Sequence, residues 1–249
     1  PTLRRQRQMC IRDRVIGAGA GGLSVAAGAA QLGIKVVLLE GDKMGGDCLN
    51  YGCVPSKALI AFSNQRKPKQ FNNAMGFVRD AINEIEPHDS EERFRSLGVN
   101  VIREYGQFVN ETTVAAGAYE IQPRRIVIAT GVHTPVPDIS GLLDVQYYTN
   151  QTIFDLTKKP EHLLVLGGGP VGVELAQAFA RLGVNVTIFE KRKLLSNFSR
   201  EQVEILKGSL VEDGVSLKED ACVNKISKVD GKLVVQLKND NKITGSHLL

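Results

Sequence analysis

The chain has 249 residues, 43% hydrophobic and 23% charged, which suits a globular protein of one large or two ordinary domains. No apolar run approaches the roughly 20 residues that cross a bilayer. The start is basic and lacks the apolar core of a secretory signal, so a cytoplasmic protein is expected. The net charge of +4 lies wholly in the first fourteen residues, where Arg4, Arg5, Arg7, Arg12 and Arg14 stand against Asp13 alone. Nothing beyond them forms a basic stripe for a nucleic acid.

Taken in chain order, residues 1–14 contain "LRRQRQMCIRDR", which resembles translated sequencing-adapter sequence. They read as a non-native basic tail that makes Cys10 foreign and overwrites the start of the first strand. "RVIGAGAGGLSVAAGAAQLGIKVVLLE", Arg14 to Glu40, then reads as an apolar strand, a glycine-rich turn, a small-residue helix and a second strand ending in an acid. "GGDCLNYGCVPSKAL", Gly45 to Leu59, places Cys48 and Cys53 five positions apart before a helix-like run. A polar helical region spans Lys57 to Ser96, and Pro87 must interrupt it. "VNVIREYGQFVN" and "RRIVIATG" read as strands, and Pro135 and Pro137 mark a loop. A domain boundary is expected near Asn150.

"HLLVLGGGPVGVELAQAFARLGVNVTIFE", His162 to Glu190, repeats the first pattern about 150 residues on. Arg200 to Glu212 looks helical. "ACVNKISKVDGKLVVQLKNDNKITGSHLL" reads as strands with a Val-Asp-Gly turn, and Cys222 within it as a small core residue. Two βαβ units predict an α/β fold with mainly parallel sheets covered by helices. The apolar runs Val36–Leu39 and Val186–Phe189 suit strands buried on both faces.

Gly17, Gly19 and Gly22 form G-x-G-x-x-G, as do Gly167, Gly169 and Gly172. The first glycine permits the tight turn, the second lets backbone approach a pyrophosphate, and the third permits close helix–strand packing. The helix N-terminus supplies N–H groups and partial positive charge. Glu40 and Glu190, about 20 positions on, are placed to accept hydrogen bonds from ribose hydroxyls. Two dinucleotide sites in one chain suggest a flavin and a nicotinamide exchanging electrons. Ala129, Thr130 and Gly131 follow a strand and would bring backbone close to a cofactor. Cys48 and Cys53 could be buried packing residues, metal ligands or a redox pair. Zinc sites pair cysteines more closely and need further ligands, whereas His88, His133, His162 and His247 are scattered, so no metal is expected. A redox pair needs two thiols within reach and a stabilised thiolate, which a helix start at Cys53 would favour.

The cysteine stretch, with "GAGAGG", "ATG" and "GGGPVGVELAQAFARLG", resembles the class I pyridine nucleotide–disulfide oxidoreductases from Val15 to the last residue. The wording is most similar to mercuric reductase-like and dihydrolipoamide dehydrogenase-like members. The resemblance implies two Rossmann-like domains: an FAD-binding domain over 15–150, Gly46 among its cofactor contacts, and an incomplete NAD(P)-binding domain over 151–249. It also implies electron flow from NAD(P)H through FAD to a Cys48–Cys53 disulfide. Cys53 would form the thiolate charge-transfer pair with flavin, and Cys48 would attack a disulfide or metal-ion substrate. Lys57 resembles the family lysine beside the reactive flavin edge, and Glu174 its acidic partner.

Family members continue through a second flavin segment and a dimerisation domain carrying a His-Glu acid–base pair. The chain therefore reads as an N-terminal fragment of an enzyme that is a homodimer when full length. The alternatives are a flavoprotein oxidase or NADH dehydrogenase with incidental cysteines, and an inactive nucleotide-binding fragment. Glu190 would repel a 2′-phosphate, which favours NADH, although Lys191, Arg192 and Lys193 could offset that repulsion.

Overall fold

The computed structural model describes residues 7–65 and 70–249, with side chains from residue 13 onward; Cys10 and most of the basic tail lie outside the described side chains. Two compact units emerge. One comprises the chain up to Val54 with Ala81–His133; the other comprises Pro55–Asp80 with Thr134–Leu249. Asn150 falls inside the second.

In the first unit, β1 (Arg7–Ile16), α1 (Ala20–Gln31) and β2 (Val36–Leu39) form the expected βαβ unit. Two short helices follow, α2 (Gly46–Asn50) and α3 (Cys53–Ser63), and α3 carries the chain into the second unit. The return is made by α4 (Phe71–Ile85), whose buried Phe71, Ala74, Met75 and Val78 follow the i, i+3, i+4, i+7 spacing of one helix face. Pro87 ends it as expected: Glu86–Asp89 is a 3-10 turn. Ser90 then caps α5 (Glu91–Ser96) by accepting the Arg93 N–H. The remaining strands are β3 (Asn100–Ile102), β4 (Gln107–Asn110), β5 (Thr113–Ala116) and β6 (Tyr119–Ile128).

The sheet order is β3-β2-β1-β6-β5-β4. The first four strands are parallel, and an antiparallel hairpin extends the edge. All four residues of β2 are buried. Val36 and Leu38 join one apolar cluster with Leu23 and Phe94, whereas Val37 and Leu39 join another with Val114 and Ile121. That two-residue alternation is the signature of a strand covered on both faces. Arg14 breaks the pattern. It pairs in register with Val37 and Ile126 and is 0% exposed.

The second unit repeats the scheme in β7 (His162–Leu166), α6 (Pro170–Arg181), β8 (Asn185–Phe189), α7 (Arg200–Glu212) and β9 (Val215–Lys218). A three-stranded antiparallel sheet follows, β10 (Val223–Val229), β11 (Lys232–Leu237) and β12 (Lys242–Gly245), and then β13 (His247–Leu248). β13 completes the parallel order β13-β7-β8-β9. The Val-Asp-Gly turn is a two-residue hairpin with Asp230 and Gly231 both at positive φ, as a type I′ turn requires. Cys222 is half-buried just ahead of β10, not the core residue expected. Among the described residues, no helix is long and apolar enough to cross a membrane.

Two half-buried histidines flank β7. His162 shares a 2.9 Å hydrogen bond with Thr187, and His247 shares one with Ser246 while stacking on Tyr148. Burial lowers the pKa of both; a Thr244 backbone contact opposes this at His162, and Glu161 opposes it at His247. Each imidazole therefore binds its proton less readily folded than unfolded, where the pKa is about 6.5. Their contribution to stability is full above that pH and is lost as pH falls below it. Denaturant midpoints should drop between pH 7.5 and 5.5, and less so in a His162→Gln/His247→Gln protein. An equal drop in both would refute the assignment.

Candidate functional site: two glycine turns and a thiol pair

The carboxyl ends of β3, β2, β1 and β6 share one edge of the first sheet, where open α/β sheets bind ligands. β1 runs into Gly17, at φ +101°, a left-handed conformation that favours glycine. A Cβ there would also lie 2.2 Å from the Ala129 carbonyl oxygen. Ala129 to Gly131 thus abut the first glycine, and the Ala129 N–H donates to Ile16. A Cβ at Gly22 would lie 1.9 Å from the Gly17 oxygen, which is the close helix–strand contact expected. Gly19 caps α1 without a side-chain hydrogen bond.

A cofactor's fit can be tested at Gly19 and Gly21. No protein atom comes nearer than 3.8 Å to a Cβ built at Gly19, or within 4 Å of one at Gly21. The space over the start of α1 is open, and backbone N–H groups point toward it. A pyrophosphate suits that cradle in size and charge.

Glu40 does something the sequence reading missed. Its carboxylate accepts the Ala18 N–H at 2.6 Å and the Asp42 N–H at 2.7 Å. It therefore braces the glycine turn. The second unit repeats this atom for atom. Gly167 sits at φ +107°, and a Cβ at Gly172 would lie 2.3 Å from its oxygen. Glu190 accepts the Gly168 N–H at 2.8 Å and the Arg192 N–H at 2.9 Å. Gly169 caps α6, with nothing within 4 Å of a Cβ built on it. Of the basic residues after Glu190, Lys193 is engaged by Asp220.

The cysteine stretch is fastened to the first glycine turn. The Gly45 N–H donates to Ala18 at 2.9 Å, and Gly45 bridges Gly19. Gly46 has φ +54°, and a Cβ on it would lie 2.6 Å from the Gly19 Cα. Only glycine allows that approach. Asn50, also missed, donates from its amide to Met44 and Gly46 and holds the turn closed.

Cys48 lies in α2 and Cys53 begins α3, so the partial positive charge of a helix start falls on Cys53. Both cysteines are thiols in this structure. Cys48 is half-buried and Cys53 exposed. Burial pushes the Cys48 thiol up to about 11, helped by a hydrogen bond with the Cys53 sulfur and by the charges of Cys53 and Asp89. The sulfurs are therefore within reach of one another. In the second unit Lys57 donates to both oxygens of Glu174, at 2.9 and 2.8 Å. The pair named from sequence, 117 positions apart, is in direct contact.

A family model described as pyridine nucleotide-disulphide oxidoreductase matches residues 14–249. The chain belongs to that family. It is 34% identical to a mercuric reductase of Bacillus cereus over 235 residues, 88% of this chain and 37% of that one. It is 29% identical to a dihydrolipoyl dehydrogenase of Staphylococcus aureus, over 92% of this chain and 53% of that one. The HOCl-induced flavoprotein disulfide reductase of Escherichia coli superposes with a TM-score of 0.87 at 29% identity, over 96% of this chain and 55% of its own. The chain thus spans about half or less of the length of these relatives.

Proposed function

We propose that the chain forms the FAD-binding, NADH-binding and redox-active part of a disulfide oxidoreductase. The observation that carries this reading is the fastening of the Cys48 helix onto the first glycine turn through Gly45 and Gly46. It puts a thiol pair beside a dinucleotide cradle. Gly17, Gly19, Gly22, Glu40, Gly46 and Ala129–Gly131 would hold FAD, and Gly167, Gly169, Gly172 and Glu190 the nicotinamide dinucleotide. Bound FAD supplies hydride acceptance and two-electron delivery.

The residues of the chain do the rest. A Cys48–Cys53 disulfide takes up two electrons and two protons to become a dithiol. Cys48 then loses its proton and attacks one sulfur of a substrate disulfide, which expels the other as a thiol. Cys53 attacks the Cys48 sulfur of the mixed disulfide, releases the second thiol and restores the internal disulfide. With Cys48 at about 11, attack requires a base that takes its proton. Lys57 is held by Glu174 within the second unit. The substrate is a small-molecule or protein disulfide, or a metal ion, and the working protein is a homodimer.

The test is Gly19→Val. The backbone there, at φ −78°, accepts valine and no protein atom obstructs it, so the variant should fold. Its side chain would fill the cradle and weaken FAD binding about tenfold or more. A folded variant with normal FAD content would refute the site.

The Glu190 carboxylate favours NADH. Like charges about 4 Å apart repel by about 1 kcal/mol in water and several times that near a protein surface, or about tenfold or more in preference. Lys193, held by Asp220, offers less relief than the sequence suggested. Glu190→Gln keeps an acceptor for Gly168 while removing the charge, and should narrow the NADH-to-NADPH ratio of catalytic efficiencies. A wild-type preference for NADPH, or an unchanged ratio in the variant, would contradict this.

A further inference from the structure

Outside the motifs, one carboxylate reaches the thiol pair. Asp89 ends the Glu86–Asp89 turn, in the same compact unit as Cys48, and is half-buried. Its backbone is held from both sides. The Ser90 hydroxyl donates to the Pro87 carbonyl at 2.8 Å and accepts the Arg93 N–H at 3.2 Å, and the Arg93 guanidinium donates to the His88 carbonyl at 2.6 Å. The charge of Asp89 acts on the Cys48 sulfur and opposes its ionisation. Burial raises the Asp89 pKa, and the charges of Arg93 and His88 oppose that rise. A charge fixed beside a reacting sulfur is already oriented when a substrate arrives.

The surroundings carry the same sign. Asp47 precedes Cys48 in α2, and Glu84, Glu86, Glu91 and Glu92 flank Asp89 along the chain. Cations of the same segments are engaged: Arg93 lies over the Phe94 ring at 5.4 Å, Arg95 pairs with Glu91, and Lys43 lies over the Tyr51 ring at 5.1 Å. Lys57 of α3 is held by Glu174. Such a charge arrangement repels an approaching anion and attracts a cation. We propose that Asp89 is a specificity-determining residue of the thiol site, whose carboxylate admits cationic and neutral disulfides to Cys48 and disfavours anionic ones. The substrate class narrows to disulfides that carry amines, or no charge, next to the S–S bond.

This inference rests on the thiol-exchange reading above, and its test separates the two. The full chain carrying Cys53→Ala is reduced and mixed, at about pH 8, with cystamine, bis(2-hydroxyethyl) disulfide or dithiodipropionate, which are cationic, neutral and anionic. The Cys48 thiolate attacks one reagent sulfur, the reagent S–S bond breaks as the new one forms, and the other half leaves as a thiolate. With no Cys53 sulfur to resolve it, the mixed disulfide accumulates, and mass spectrometry of the Cys48 peptide gives each rate. The cystamine-to-dithiodipropionate rate ratio is then compared with the ratio after adding Asp89→Asn or Asp89→Glu. The thiolate fraction of Cys48 and the leaving tendency of each reagent cancel in that comparison, so a purely structural role would not move it. Asp89→Asn should lower the ratio about 3- to 10-fold at low salt, and Asp89→Glu should restore it. Salt near 1 M, where the Debye length is about 3 Å, should shrink the difference. Circular dichroism confirms that each variant is folded. No exchange with any of the three disulfides, even where Cys48 is ionised, would end the thiol-exchange reading and this inference with it. Ready exchange with an unchanged or increased ratio in folded Asp89→Asn would overturn the role of Asp89 alone.

Discussion

Replacing Cys53 by serine is expected to lower disulfide reductase turnover by about 10³-fold or more, because a hydroxyl can neither form nor exchange the S–S bond on which the cycle depends. A second readout does not depend on turnover. Part of what pushes the Cys48 thiol up to about 11 is the hydrogen bond and charge of the Cys53 sulfur; the larger part is burial. Cys53→Ala removes the former and leaves the latter. The alkylation rate of Cys48 should then rise at a lower pH than in wild type, yet above the ordinary range of a free cysteine near 8.5. An unchanged profile would mean that the two sulfurs do not interact. Cys48→Ser should abolish turnover as completely, since each sulfur needs the other.

The second large effect concerns Arg14. It is fully buried, on a strand between β2 and β6. One guanidinium nitrogen donates weakly to the Val114 and Ile121 carbonyls at 3.2 and 3.5 Å, while Nε and Nη2 have no hydrogen-bond partner among the described residues. Burial lowers its pKa to about 10. A cation whose folded pKa is depressed destabilises the fold at every pH below that value, and the cost fades only as pH rises through it. At about 1.4 kcal/mol per unit, the drop from the ordinary 12.5 costs roughly 3 kcal/mol at neutral pH. Arg14→Val suits a strand position between apolar neighbours and should stabilise by about 2–4 kcal/mol, raising Tm by roughly 5–10 °C. Such a gain supports the proposal that the basic segment is foreign to the strand. A loss of stability would show that the carbonyl contacts satisfy the charge after all.

Why Arg14 could not be read from sequence shows where sequence reasoning stops. The periodicity of β2 and β8 is local, and it located strands to within a residue: Val36–Leu39 as expected, and Val186–Phe189 with Asn185 added. Pro87, the Asp-Gly turn and α7 were legible for the same reason, since each is decided by neighbours along the chain. The burial of Arg14 depends on which strand lies beside it, and β6 is more than 100 positions away. The β5–β6 hairpin escaped notice because "TTVAAGAYE" is rich in small residues with little alternation. β1 runs back to Arg7 in register with β6, into the segment read as overwriting the start of the first strand.

At the site, the glycines and cysteines were legible because special backbone and special chemistry restrict residue type. What braces them was not. Glu40 and Glu190 look like ribose ligands in sequence, and only coordinates reveal that they first hold the N–H groups of Ala18 and Gly168. Asn50 and Asp89 carry no motif. An Asn two residues after a Cys, or an Asp in a turn far along the chain, is too common to mark a role.

The most direct test of the redox centre is mass spectrometry of the Cys48 and Cys53 peptides. FAD-loaded protein is alkylated before and after exposure to NADH. One intramolecular disulfide joining the two cysteines is expected beforehand, with both thiols alkylated only after NADH. Equal and complete alkylation of both before any reductant is added would contradict it.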